Sequence, residues 1–229
     1  LGGANELSDI IASRIPSCQN FVSTATDQTN TLAFEMFAKK NDLEIHNLKE
    51  LALISNSLLN KKEVEVLTYD SIFQTIPNKE NLKLVKEQSS DLCVNITPFD
   101  SPLLTFKPKV FLGIGCNRNT TFEEIKNAVF SFLQKHKLKI EQIQNIASYE
   151  AKADEVGLLE FAREYNFDIK FFYEAEINAL QGNFSTSQAT KFFGVKGVSE
   201  PSSILVSKYK ELIIPIEVYE NKITIAGAI

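Results

Sequence analysis

The sequence predicts an α/β protein of two or three layers, with mixed or parallel sheets, flanking helices and a separate C-terminal α/β domain. Three observations predict it. From residue 109 onward, short apolar runs alternate with amphipathic stretches, the rhythm of strand–helix–strand units. Glycine use is segregated: of nine glycines two are Gly2 and Gly3, none lies between Ala4 and Leu112, and seven fall in 113–227. A stretch punctuated by Pro98, Pro102 and Pro108 separates the two regimes and reads as an inter-domain linker or an edge segment.

Before that stretch, apolar spacing predicts helices near 5–15, 27–40 and 48–59, with strand-like runs at 21–23, 64–69 and 91–96. Turns there use Asn, Asp, Ser and Pro in place of glycine. Asn5 follows the Gly2-Gly3 pair and is placed to cap the first helix. The chain opens on Leu1, inside what looks like a motif, so residues are expected to be missing before it.

After the stretch, 109–114 is a buried-strand run. Thr121-x-x-Glu124 is a capping box that opens a helix with Phe122, Ile125, Val129, Phe132 and Leu133 on one face. A strand at 143–149, a helix at 155–166 and a strand at 168–172 follow. Short helical pieces are expected near 174–180, 187–193 and 200–207, and 212–215 and 223–228 read as a hairpin around Asn221. The Phe171-Phe172-Tyr173 and Phe192-Phe193 groups suit core positions better than a stacking platform.

Composition excludes several classes. The 229 residues carry a net charge of -5, with 10 basic and 14 acidic residues in 1–107 and 14 and 15 in 108–229. Neither part is basic, which argues against nucleic acid or an anionic membrane as partner. No run has the length of a membrane span and no signal peptide is evident, so the expected location is cytoplasmic. Two histidines, His46 and His136, and three scattered cysteines, Cys18, Cys93 and Cys116, provide no zinc pattern and no disulfide framework. No resident metal or cofactor is expected. His136, between Lys135 and Lys137, reads as a solvated helix end.

Three loops could carry chemistry. Gly113-Ile114-Gly115-Cys116-Asn117-Arg118-Asn119-Thr120 leaves a strand and enters a capped helix, a combination suited to a carboxylate or a phosphate. Cys116 by itself reads more readily as a small buried hydrophobe than as a nucleophile. The second loop, 148–155, crowds Glu150, Lys152, Asp154 and Glu155 past the end of a strand. First-turn preference explains Asp154 and Glu155 but not Glu150 and Lys152. An exposed ion-pair face and a catalytic cluster both remain open for it. In the third, Gly194 and Gly197 frame Lys196 before Ser199-Glu200-Pro201 starts a helix. Ser185 and Ser187 lie just upstream, where capping a helix is the simpler role.

Taken together, the segments at 113–121, 147–158 and 194–201 resemble the C-terminal domain of the cobalamin-biosynthesis protein G family. The Ile223-Thr224-Ile225-Ala226 tail is similar to that domain's closing strand. The opening Leu-Gly-Gly-Ala-Asn-Glu-Leu and Thr24-Ala25-Thr26-Asp27 resemble the end of the family's N-terminal domain. On this resemblance residues 1–60 are the remainder of that N-terminal domain, 61–107 a variable middle region and linker, and 108–229 the C-terminal α/β domain. Two departures stand out: Glu150 where the family usually has aspartate, and Ile216 where a lysine usually follows the proline. The serine-histidine stretch that precedes the Gly-Gly pair in the family is absent.

The resemblance implies a cobalt-precorrin-5A hydrolase of the oxygen-independent corrin pathway, which opens a δ-lactone and releases acetaldehyde. Its substrate is a corrinoid bearing many carboxylates, and any cobalt arrives inside that substrate. The implied binding residues are Gly113, Gly115, Cys116, Asn117, Arg118, Asn119, Thr120, Lys196, Gly197, Ser199, Ser185, Ser187, Gly2, Gly3 and Asn5. Arg118, Lys152 and Lys196 are the cations of the three loops placed for the substrate's carboxylates. Lactone opening needs a base and a donor, for which Glu155, Glu150 and Glu200 are the candidate bases and Lys152 the candidate donor. A non-catalytic corrinoid carrier is the alternative from another class. A homodimer and other enzymes of the corrin pathway are the macromolecular partners left open.

Overall fold

A computed structural model of the chain describes residues 10–15, 31–181, 184 and 195–229. The chain divides into two compact units, Leu1–Pro108 and Lys109–Ile229, and each carries its own five-stranded sheet.

In the first unit a helical turn spans residues 10–14. The sheet is then built from α1 (Phe34–Asn41), β1 (Glu44–His46), a 3-10 turn at Leu48–Glu50 running into α2 (Leu51–Leu59), β2 (Val64–Thr68), α3 (Asp70–Thr75), β3 (Leu82–Val85), β4 (Cys93–Ile96) and β5 (Leu104–Lys107). The strand order is β1-β5-β4-β2-β3. The last four strands are mutually parallel, and β1 runs antiparallel to β5. β4 and β5 are buried at every position, the expected state of parallel strands covered on both faces. Phe34 of α1 stacks on Phe106 of β5 with ring centroids 5.3 Å apart.

This differs in detail from the expectation for 61–107. That segment contributes four of the five strands, and β1, from the preceding segment, completes the same sheet. β5 lies in the proline-punctuated stretch as an interior strand between β1 and β4. The four residues of β5, set between Pro102 and Pro108, are too few to show a periodicity, and β1 and β3 are no longer than it. The expected strand at 21–23 and helix at 187–193 lie outside the described residues.

The second unit runs β6 (Val110–Cys116), α4 (Phe122–Lys135), β7 (Ile143–Tyr149), α5 (Val156–Glu164), β8 (Ile169–Phe172), α6 (Glu174–Ala179), α7 (Ser199–Val206), β9 (Leu212–Tyr219) and β10 (Ile223–Ala228), with short 3-10 turns at Ile140–Gln142 and Glu150–Lys152. The order is β8-β7-β6-β10-β9, with β6, β7 and β8 parallel and β10 antiparallel to both of its neighbours. The capping box forms as expected: the Thr121 hydroxyl accepts from the Glu124 N–H, and the Glu124 carboxylate accepts from the Thr121 N–H. β9 continues through Pro215, which an edge strand tolerates because a proline there forfeits no ladder bond.

The two faces of this sheet are covered differently. On one, Ile114 of β6 pairs with Ile225 of β10, and Gly227 faces Phe132 of α4. On the other, Gly113 lies under α7, where a Cβ would run into the Ser199 carbonyl and come within 2.7 Å of the Ser203 nitrogen. Glycine is therefore required at 113 for the helix to approach the strand. His136 is the C-cap of α4 and is half-buried, its Nε2 3.0 Å from Glu217 of β9, so it is not the solvated helix end expected. Among the described residues no helix is long and apolar enough to cross a membrane.

Candidate functional site

The carboxyl ends of β6 and β7 deliver two loops to one edge of the second sheet, the usual position of ligand sites in open α/β folds. The β9–β10 turn meets them there, with the Asn117 N–H donating to the Lys222 carbonyl at 2.9 Å. Asn119 turns the first loop in the left-handed conformation at φ 60, which Asn adopts more cheaply than most residues. Gly157 stands in the first turn of α5, just past the second loop. A Cβ there would run into the Thr120 carbonyl and come within 2.7 Å of the Phe122 nitrogen, so its absence lets the starts of α4 and α5 close on each other.

Charge occupies the junction. The Arg118 guanidinium pairs with Asp154, lies 3.0 Å from Glu155 Oε1, and donates to the Ala151 carbonyl at 2.8 Å. Glu155 is 4% exposed, and its Oε2 accepts the Asn119 N–H at 3.0 Å. Lys152 Nζ lies 3.6 Å from Glu155 Oε1. One buried carboxylate thus ties both loops together between two cations, which offsets the cost of burying it. The hydrogen bond from Arg118 holds Asp154 below its ordinary value, and the same bond raises Arg118. Burial pushes the Cys116 thiol up to about 11, so it carries almost no thiolate near neutrality, in keeping with a small buried hydrophobe.

Arg118, Asn119, Thr120, Thr121, Phe122, Asp154, Glu155, Val156, Gly157 and Glu160 enclose a cleft of roughly 360 Å³ between the starts of α4 and α5. The structure brings together Arg118, Asn119, Thr120, Lys152 and Glu155 among the sequence-derived candidates. Glu150 is exposed at the start of the same 3-10 turn as Lys152.

Other candidates are engaged elsewhere. Gly115 faces Val198 and the Thr224 hydroxyl. Glu200 is 5% exposed, and its Oε1 accepts the Ile216 N–H of β9 at 3.1 Å. Ser199 is fully buried in the first turn of α7. Gly197 takes φ 129, and the Lys196 N–H and ammonium bond to Asn178 Oδ1 and the Leu180 carbonyl. Gly2, Gly3, Asn5, Ser185 and Ser187 lie outside the described residues. Sequence reasoning passed over Asp154, Glu160, Phe122 and Val156 as parts of one cleft. The first-turn rule accounted for Asp154 by itself, and nothing in the spacing joined 118–122 to 154–160. Among the described residues no group of three or more His, Cys, Asp or Glu could hold a metal ion.

Comparison with known proteins adds a family. The sequence model described as "Cobalamin synthesis G C-terminus" matches residues 110–228. The cobalt-precorrin-5A hydrolase of Priestia megaterium is 26% identical over 228 aligned residues, which cover 90% of this chain and 60% of that protein. The protein of the same name from Salmonella typhimurium is 27% identical over 225 residues, covering 90% and 63%. A probable cobalt-precorrin-5A hydrolase of Methanocaldococcus jannaschii is 26% identical over 211, covering 91% and 62%. The chain spans about six-tenths of the length of these relatives. Among solved structures, a putative cobalamin biosynthesis protein G homolog from Sulfolobus solfataricus aligns with 99% of this chain and 67% of its own, at TM-score 0.45 and 22% identity. CobE, a protein from the cobalamin biosynthetic pathway, aligns with 52% and 88%, at TM-score 0.47 and 20% identity.

Proposed function

This chain belongs, through residues 110–228, to the cobalamin synthesis G C-terminus family, and from that premise we propose that it hydrolyses the δ-lactone of cobalt-precorrin-5A. The products are acetaldehyde and cobalt-precorrin-5B, in anaerobic cobalamin biosynthesis. The observation that carries the proposal is the pairing of Arg118 and Glu155 at the lining of an open cleft, with Lys152 against Glu155 behind it, in the part of the chain that the family model matches. The substrate is a macrocycle edged with carboxylates, and Arg118 is a planar donor suited to one of them. Cobalt enters as part of the substrate.

Lactone opening needs a base for the attacking water and a donor for the departing alkoxide. Lys152, only 14% exposed at its side chain, stands at the loop end as that donor. Glu155 is occupied by two cations and an amide, and Glu200 by the Ile216 N–H. The exposed Glu150 is therefore the carboxylate assigned to the water. In the second half of the reaction the freed alcohol loses its proton. Its carbon–carbon bond then breaks, acetaldehyde leaves, and the bonding electrons remain with the macrocycle.

The test is anaerobic incubation of the protein with cobalt-precorrin-5A, with acetaldehyde assayed against substrate consumed. Matching amounts are expected. The occupied state of Glu155 also suits a second function, a corrinoid carrier that needs affinity rather than a poised base. Saturable binding without acetaldehyde would select that reading.

A further inference from the structure

We propose that Arg118 is a carboxylate receptor whose resting occupant, Asp154, is displaced when an acidic group of the ligand enters the cleft, with Glu155 as the positioning residue that keeps the guanidinium in place. The inference rests on the reading of this cleft as a corrinoid site only for the identity of the ligand.

The three partners of Arg118 differ in kind. Glu155 is buried and fixed to the Asn119 N–H, and the Ala151 carbonyl belongs to the backbone of the same turn. Both hold the guanidinium from the protein side. Asp154 is different: its side chain is 75% exposed, Arg118 is 54% exposed, and both line the cleft. An ion pair that open to water contributes little to stability, so exchanging its carboxylate for another is nearly neutral in energy. The guanidinium meanwhile keeps its two protein-side contacts and loses no orientation, which is what makes a receptor pre-organised.

The chemical class follows from the occupant. The group that already satisfies Arg118 in the cleft is a carboxylate, so the geometry selects for another carboxylate. Buried Glu155 Oε1 accepts no aligned hydrogen bond, although two cations lie within 3.6 Å of it. Arg118 and Lys152 therefore share one buried negative charge, so displacing Asp154 leaves one positive charge at the cleft for the ligand's carboxylate to balance.

The experiment is a fluorescence titration of the whole chain with uroporphyrin, a tetrapyrrole polycarboxylate that undergoes no lactone chemistry. Asp154→Asn should tighten binding roughly three- to tenfold, and Arg118→Gln should weaken it roughly tenfold. The decisive arm is the double variant. In the Arg118→Gln background Asp154→Asn should give no gain beyond that of Glu160→Gln, which removes an equal charge from the same cleft. Weaker binding by Asp154→Asn, an equal gain with and without Arg118, or no saturable binding by either the unaltered chain or Asp154→Asn would overturn the proposal. Because uroporphyrin is not hydrolysed, these outcomes are independent of the acetaldehyde assay. A failed displacement alongside normal turnover removes this inference and leaves the proposed reaction standing, and the converse result does the reverse.

Discussion

Glu65 in the first unit and Glu155 in the second are equally buried carboxylates, each 4% exposed, and the structure satisfies them in opposite ways. Glu65, on β2, accepts the Ser89 N–H at 2.8 Å, the Ser90 N–H at 3.0 Å and the Ser89 hydroxyl. Neutral donors from one turn enclose it, and it pins the β3–β4 connection. Glu155 draws on Arg118, Lys152 and a single amide, beside an open cleft. Neighbouring side chains show the same contrast, although Lys107 of β5 also pairs with Asp100 in the first unit and Glu200 takes a neutral amide in the second. In the first, Thr68 donates to the Ile96 carbonyl, and Asn95 lies between Thr97 and Thr105. Polarity there is spent on closing the strand ends. In the second, cations and carboxylates stand at the strand ends with room beside them. Burial alone does not mark a functional carboxylate; the kind of partner, and the space next to it, do.

The largest change should come from Gly113→Ala. The new methyl has no free space between β6 and α7, and overpacking of this kind should cost about 3 kcal/mol. In denaturant unfolding followed by pulsed alkylation, Cys116 of the second unit should become reactive at lower denaturant than in the unaltered chain, with Cys93 of the first little changed. Equal shifts at both cysteines would erase the energetic distinction between the units.

Next in size is Lys152→Ala. It should lower acetaldehyde formation by roughly 10²-fold, the scale of a lost acid or charge-stabilising group, while costing roughly 1–3 kcal/mol of stability, because a buried carboxylate loses one of its two cations. Lys152→Arg should rescue little, since a planar fork does not reproduce a compact donor. Full turnover in Lys152→Ala would make the second cluster as purely structural as the first.

Glu65 tests the comparison through pH. The hydrogen bonds from Ser89 hold its carboxyl below the ordinary value of 4.5. A group depressed on folding contributes stability above its unfolded value and loses that contribution as pH falls through the folded one. Glu65→Gln should therefore unfold more easily at neutral pH, and its stability should fall less steeply below pH 4.5. Parallel acid limbs in the two proteins would show that the Ser89–Ser90 turn contributes nothing specific to the anion.

The smallest effect is one the units share. Burial pushes both Cys93 and Cys116 up to about 11, so at pH 8 about one thousandth of each is thiolate. Brief treatment of the native protein with iodoacetamide should label neither, as read by peptide mass mapping. Rapid labelling of Cys116 alone would mean that the candidate site is more open than the first unit's core.

Legibility from sequence varied with how local the signal was. The capping box at Thr121 and Glu124 was readable because both partners lie within one helical turn, and β7 because seven residues carry a clear apolar pattern. β1, β3 and β5, of three or four residues, were not. Of the candidate site, Arg118, Lys152 and Glu155 were readable as charges crowded past strand ends. Asp154 was visible too, but its role was hidden by a sufficient local reason for an acid at a helix start. Glu200, an attractive base by position, proved to hold a main-chain N–H of β9, a partner 16 residues away that no local pattern announces.

What the sequence determined by itself is local: the alternation of strands and helices, the cap of α4, the glycine-framed loops, and the lack of any zinc-ligand pattern among two histidines and three cysteines. These features depend on neighbours a few residues apart, and the chain carries that information wherever it folds. Tertiary structure decided which loops share an edge. Arg118 and Glu155 are 37 positions apart, and only the parallel pairing of β6 with β7 brings their loops to the same end of a sheet. The physical reason is that a parallel ladder aligns the carboxyl ends of its strands, so the loops that leave them converge whatever the residues between. Whether the charges that meet there cancel or leave one exchangeable is then settled by burial, which shields Glu155 and leaves Asp154 in water.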